Sequence, residues 1–118
     1  MILNLEEIKS IYIVCGKTDL RKGIDGLATY VMEEYNLDVF DKSLFLFCGT
    51  QMDRFKALYW QGDGFLLLYK RLENGRIQWP KNKHEVKKIH SKQLLRLLDG
   101  LSLEEKKTIH RAKTGAIY

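Results

Sequence analysis

The sequence predicts an α+β fold: an antiparallel β-meander sheet with one packed N-terminal helix and a helical C-terminal arm. Three observations carry this. The runs "RFKALYW", "FLLLYKRL" and "IQW" are separated by "QGDG" and "ENGR". Asn74-Gly75 is the strongest short hairpin signal, because a type I′ turn needs positive φ at both central residues. Ile24, Leu27, Ala28, Val31 and Tyr35 recur at helical spacing. "KQLLRLLD" has Ser91 before it as a cap and Gly100 behind it as a stop.

Taken in order, Ser10 to Cys15 is β-branched and aromatic and reads as a strand. Thr18 or Asp19 caps the helix that follows. That start puts Arg21 and Lys22 in the first turn, against the helix dipole. It also puts Gly23 and Gly26 inside the helix, each costing roughly 1 kcal/mol against alanine. A helix N-terminus with cations gathered on it is an anion site; Arg21 equally suits a salt bridge to a carboxylate. The glycines leave room for another backbone, a phosphate chain or the sheet.

Ser43 to Gly49, "SLFLFCG", is a second strand, apolar enough to be covered on both faces. Arg54–Trp60, Phe65–Leu72 and Ile77–Trp79 follow as the meander, ended by Pro80, which has no N–H for a ladder. A short strand is expected at Val86 to Ile89, and Ser102 with Glu105 matches a capping box for a last helix. The 118 residues suit one domain, with an α+β core over 10–80 and a basic loop and C-terminal helices over 81–118.

Hairpin geometry fixes register. A Gly62-Asp63 turn sets Trp60 opposite Phe65, Lys56 opposite Tyr69 and Arg54 opposite Arg71. An Asn74-Gly75 turn sets Leu72 opposite Ile77 and Lys70 opposite Trp79. Side chains alternate, so Phe55, Ala57, Tyr59, Leu66, Leu68, Leu72, Ile77 and Trp79 share the core face, with Lys70. The other face carries Arg54, Lys56, Tyr69, Arg71 and Arg76, and near the first turn Leu58, Trp60, Phe65 and Leu67. Like charges set opposite each other are destabilising unless an anion lies between them. Phosphate oxygens fit there, with Tyr69 stacking on a base. The competing arrangement packs this face on the first helix, with the cations reaching out at its rim.

Charge supports a polyanionic partner. Up to Asp53 there are five Lys and Arg against nine Asp and Glu, a balance of −4; from Arg54 there are fifteen against six, a balance of +9. A basic half of this size points to nucleic acid or to a solvated lysine-rich surface. No apolar run approaches the roughly 20 residues of a membrane span. The first residues lack the basic and apolar regions of a signal peptide. Cys15 and Cys48 lie in apolar runs and are expected reduced, buried and structural in a cytoplasmic protein, a disulfide between them being the other option.

No catalytic constellation is visible. Asp19 suits a cap and Asp63 a turn, and metal-assisted phosphoryl transfer needs several converging carboxylates. His84, His90 and His110 lack metal-ligand spacing with cysteine. No metal and no cofactor is expected.

"TDLRKGIDGL", "LFLFCG", "RFKALYWQGDGFLLLYKRLENGRIQWP" and "QLLRLLDG" together resemble a known family. It is the small accessory protein, called TnpB, encoded by the second open reading frame of the IS-sixty-six group of bacterial insertion sequences. The resemblance runs from about Ser10 to Gly100 with its motifs in order: Thr18, Asp19, Arg21 to Gly23 and Asp25 to Leu27; Lys56, Leu58 and Trp60; Asp63 to Phe65; Lys70 to Glu73, Gly75, Trp79 and Pro80. Tyr59 stands where the family also uses tryptophan, and a lysine-rich segment follows the hairpin.

The resemblance implies a role in transposition beside a larger transposase that carries the catalytic acidic residues. The resulting expectation is a non-enzymatic accessory protein that binds DNA at the element's ends, the transposase, or both. Arg21, Lys22, Arg54, Lys56, Tyr69, Arg71 and Arg76 are its expected nucleic-acid contacts. The alternative is a pure protein adaptor docking through Trp60, Phe65 and Leu67. The third reading is a metal-dependent nuclease using Asp19 or Asp63. Oligomeric state and target sequence stay open.

Overall fold

The computed structural model describes residues 4–99. A 3₁₀ turn at Leu5–Glu7 precedes β1 (Ser10–Lys17), α1 (Ile24–Tyr35), β2 (Ser43–Cys48), β3 (Arg54–Trp60), β4 (Phe65–Arg71), β5 (Val86–Ile89) and α2 (Ser91–Leu98). The fold is α+β. Its five strands form one mixed sheet in the order β4-β3-β2-β1-β5. Strands β2, β3 and β4 form an antiparallel meander, β2 standing beside β3 and β4 where Ile77–Trp79 was expected as the third strand. Strand β1 joins it parallel to β2, and β5 closes the other edge antiparallel to β1.

Alternation along the strands sorts the core into two layers. On one face Ile13, Leu44, Leu46, Ala57 and Tyr59 pack with Leu94 and Leu97 of α2. On the other, Val14, Phe45, Phe47 and Leu58 pack with Leu27, Ala28 and Val31 of α1. The helical stripe expected of α1 is the one that is buried, with Ile24 and Tyr35 at its rim. Every residue of β2 is buried, because a helix or a packed segment covers each of its faces.

The chain differs from the sequence reading at four points. First, α1 starts at Ile24 with Gly23 as its cap, not at Thr18 or Asp19. The Asp19 carboxylate instead accepts from the Arg21 backbone N–H at 3.0 Å, and the Lys22 N–H reaches the Asp19 carbonyl at 3.2 Å. The residue suited to capping is used in a turn, so Arg21 and Lys22 precede the helix. Second, Gly26 makes room for neither phosphate nor sheet: a Cβ there would lie 3.2 Å from Cβ of Lys22. A Cβ at Gly23 would meet nothing within 4 Å.

Third, Ile77–Trp79 is not a strand. Gly75 has the positive φ of a turn, +86°. Past it the chain leaves the β4 edge and crosses to the α2 side, where Ile77 and Trp79 are buried. The Ile77 N–H donates to the Met52 carbonyl at 2.6 Å and the Trp79 indole to the Val14 carbonyl at 3.0 Å. Burying an indole and an isoleucine outweighs a two-residue ladder. Fourth, the cap of α2 is His90, one residue before Ser91. Its side chain accepts from the Gln93 N–H, and the Gln93 side chain accepts from the His90 N–H at 3.0 Å. Gly100 and the Ser102–Glu105 box lie outside the described residues.

Cys15 and Cys48 are free thiols on the α2 side of the sheet. Burial pushes the Cys48 thiol up to about 12 and raises Cys15 as well.

Candidate nucleic-acid interface

The β3–β4 hairpin has the register expected from its turn: Trp60 opposite Phe65, Lys56 opposite Tyr69, Arg54 opposite Arg71. Partners in an antiparallel pair share a face, so Arg54, Lys56, Tyr69 and Arg71 lie together on the α1 side. The face is divided. Toward the turn, Leu58, Phe65 and Leu67 pack into the α1 layer. Toward the open end the polar side chains emerge, and Tyr69 is 55% exposed.

Lys56 ties this end to the β1–α1 loop. Its ammonium donates to the Lys22 carbonyl at 3.1 Å and lies 5.5 Å from the Tyr69 ring centroid. A cavity of about 600 Å³ opens between that loop and the β2–β3 connection, and Arg21, Arg54 and Tyr69 all line it. The buried Thr18 also lines it, and its hydroxyl oxygen has no hydrogen-bond partner. Arg76 is not brought to this group. It lies on the exposed turn that leads to the other layer.

Each arginine of the group has a local carboxylate. Arg21 donates to Asp19 through Nε and Nη2 at 3.0 and 2.9 Å. Arg54 donates to Asp53 at 2.8 and 3.0 Å, and Arg71 to Glu73 at 3.0 Å. The Arg21 hydrogen bonds hold the Asp19 carboxyl far below the usual carboxylate range, and Arg54 lowers Asp53. The Arg21 and Arg71 pairs are exposed and contribute little to stability, so a phosphate can take either guanidinium at small cost while the carboxylate remains to oppose it; the Arg54–Asp53 pair is partly buried. The carboxylate partner held open for Arg21 is Asp19; the pairings of Arg54 and Arg71 were not expected, although Asp53 adjoins Arg54 and Glu73 follows Arg71 by two.

At the other end of the hairpin Trp60 and Phe65 are in contact, ring centroids 4.9 Å apart. Phe40, in the segment between α1 and β2, completes the group at 5.1 Å from Trp60 and 5.4 Å from Phe65. It is 51% exposed, whereas Leu67 is half-buried against α1.

The carboxylates considered for catalysis are dispersed. Asp19 is engaged by Arg21, and Asp63 is in the β3–β4 turn. Among the described residues no three of His, Cys, Asp and Glu are grouped to hold a metal. No helix among them is long and apolar enough to cross a membrane.

The fold and its surface define a small α+β protein with a cationic face on a mixed sheet. The model of the IS66 Orf2-like protein family matches residues 9–108, and the chain belongs to that family. Membership implies an accessory role in the transposition of an insertion sequence. The uncharacterized protein y4hO of Sinorhizobium fredii (strain NBRC 101917 / NGR234) is 36% identical over 91 residues, covering 77% of this chain and 79% of its own length. The uncharacterized protein y4jC of the same strain is 31% identical over 70 residues, 59% of this chain and 60% of its own length. No solved structure matches.

Proposed function

We propose that the chain is a non-enzymatic accessory factor that holds DNA for the transposition machinery of its element. The contact surface is the open end of the β3–β4 face with the β1–α1 loop: Arg21, Lys22, Arg54, Lys56, Tyr69 and Arg71, with Arg76 as an outlying contact. The observation that carries this reading is the cross-strand pairing of Arg54 with Arg71, joined to the loop by Lys56 on the Lys22 carbonyl. Two guanidinium groups set opposite each other are best satisfied by an anion between them. Arginine also suits phosphate by its bidentate geometry.

The test is binding to duplexes of the element's terminal repeats over a range of salt, with and without the transposase. Each neutralised phosphate contributes about 0.9 to the slope of log affinity against log salt. Arg71→Ala lowers the slope by about 1 and weakens binding alike on all sequences. An unchanged slope rejects the surface.

One observation favours a protein-adaptor reading beside it: Phe40 stands half-exposed on the Trp60–Phe65 pair. Aromatic anchors of this kind dominate protein interfaces. Co-purification with the transposase that Phe40→Ala abolishes, with no DNA binding by the parent, replaces the first reading with the second.

A further inference from the structure

We propose that a second cavity, at the carboxyl ends of the parallel strands β1 and β2, binds a nucleoside monophosphate unit, either free or as an unpaired nucleotide of a DNA strand. The cavity measures about 660 Å³, within the range of small-ligand sites. Ligands of sheets with parallel strands sit beyond the strands' carboxyl ends, and this cavity has that position. A duplex presents its bases only within grooves, so a concave site of this size takes a nucleotide that is not paired.

The backbone is shaped to open it. The β1–β2 register shifts between Val14 and Lys17, a bulge in a parallel pair, where bulges are rare. Gly16 takes φ +78° in the bulge. The segment after Pro80 is strapped across the shift: the Gly16 N–H donates to the Pro80 carbonyl at 2.8 Å and the Cys15 N–H to the Glu85 carbonyl at 2.9 Å. That strap brings Lys81, Lys83 and His84 to the cavity, which Lys17 also lines. A Cβ at Gly16 would lie 3.7 Å from the Lys83 Cα, in contact with the strap.

Chemistry separates this cavity from the arginine face. Lys17, Lys81 and Lys83 line it, and among the described residues no carboxylate does. A cleft walled by one sign of charge concentrates the opposite ion. A phosphate here has no internal carboxylate to displace, unlike one that approaches Arg21, Arg54 or Arg71. Tyr30 and Tyr35 supply the remaining requirement. They stand edge to face at 5.7 Å with their hydroxyl oxygens 3.5 Å apart, and both line the cavity. An aromatic wall beside a cationic rim matches a base and its phosphate.

This inference does not rest on the duplex-binding surface, and the two fail separately. The experiment titrates the full chain with thymidine 5′-monophosphate and with 5′-phosphorylated hexathymidylate, following heat or tyrosine fluorescence. The parent, Lys81→Ala/Lys83→Ala, Tyr35→Leu and Lys92→Ala are compared, with a melting curve for each. The parent is expected to bind, and the lysine double variant to lose at least about tenfold, as two charged hydrogen bonds are removed. Tyr35→Leu keeps every charge and removes part of the aromatic wall, so it loses binding too. Lys92→Ala, which removes an exposed cation of α2 outside both cavities, stays within about twofold. Equal affinity for the two probes assigns a free nucleotide; much tighter binding of the hexamer assigns a strand. A parent that binds neither probe overturns the proposal, as does either cavity variant that folds and binds like the parent.

Discussion

Arg54 and Arg71 face each other across β3 and β4, yet each guanidinium turns to its own carboxylate, Asp53 at 2.8 Å and Glu73 at 3.0 Å. The pairing that the hairpin imposes would be repulsive with the charges bare. The neighbouring acids relieve it when no ligand is bound. They also set the terms on which a phosphate can enter.

Glu73→Gln tests those terms. The Arg71–Glu73 pair is exposed on both sides, 55% and 73%. Removing the acid frees Arg71 and takes a negative charge from the contact surface. Duplex affinity is expected to rise about 2- to 5-fold, the equivalent of one exposed ion pair. Affinity at low and high salt measures it. A fall in affinity would mean that Glu73 positions Arg71 for phosphate.

Acid should act through Asp53. Arg54 holds its carboxyl below the ordinary value of 3.8. A carboxyl depressed on folding stabilises the fold fully above its unfolded value, and that contribution is lost as pH falls through the folded value. The stability gap between the parent and Asp53→Asn is therefore constant from pH 8 to 5 and closes on further acidification. Urea unfolding at several pH values reads the gap. A gap that widens in acid contradicts the pairing.

Legibility followed the reach of each signal. The register of β3 on β4 is set by a turn of a few residues, so Arg54–Arg71 and Lys56–Tyr69 were predictable from the chain. The α1 stripe was readable for the same reason, since 3.6-residue periodicity is local. The parallel pairing of β1 with β2 has no local signal. It depends on where α1 packs, and only the nearly uniform apolar character of "SLFLFC" hinted at a central strand. The Ile77–Trp79 error shows long-range burial overriding a turn signal. The second cavity was invisible because Lys17, Tyr35, Thr50 and Lys83 converge only once the β1 bulge and the strap are formed.

The two thiols give a direct probe of packing. Burial raises both, Cys48 to about 12, and Cys48 lies wholly inside the sheet's α2 layer. Thiolate is the reactive form, so neither residue should react with Ellman's reagent at pH 8 in the native protein. Both should titrate at once in denaturant. Rapid native reaction of one thiol would mark Cys15, which lines the second cavity.

Trp79 anchors the segment that replaces the expected strand. The residue is 4% exposed, and its indole N–H meets the Val14 carbonyl at 3.0 Å, at the residue where the β1–β2 register shifts. The ring thus fills the α2-side core and satisfies an acceptor beside the bulge. Trp79→Phe keeps an aromatic ring but removes the donor and part of the volume. An unpaired buried acceptor costs about 1–3 kcal/mol, and the gap left by the smaller ring adds to it, so a loss of about 2 kcal/mol or more is expected. Arg76→Ala, on the exposed turn of the same segment, should stay within about 0.5 kcal/mol. Urea unfolding of the three proteins gives the comparison. The indole is also tied to Val14, and the Gly16 N–H beyond it is tied to Pro80. Loosening Trp79 should therefore weaken thymidine monophosphate binding at the adjacent cavity while duplex binding through Arg71 is kept. Equal stability of Trp79→Phe and the parent would show that the segment is held by its backbone contacts to Met52 and Gly16 alone.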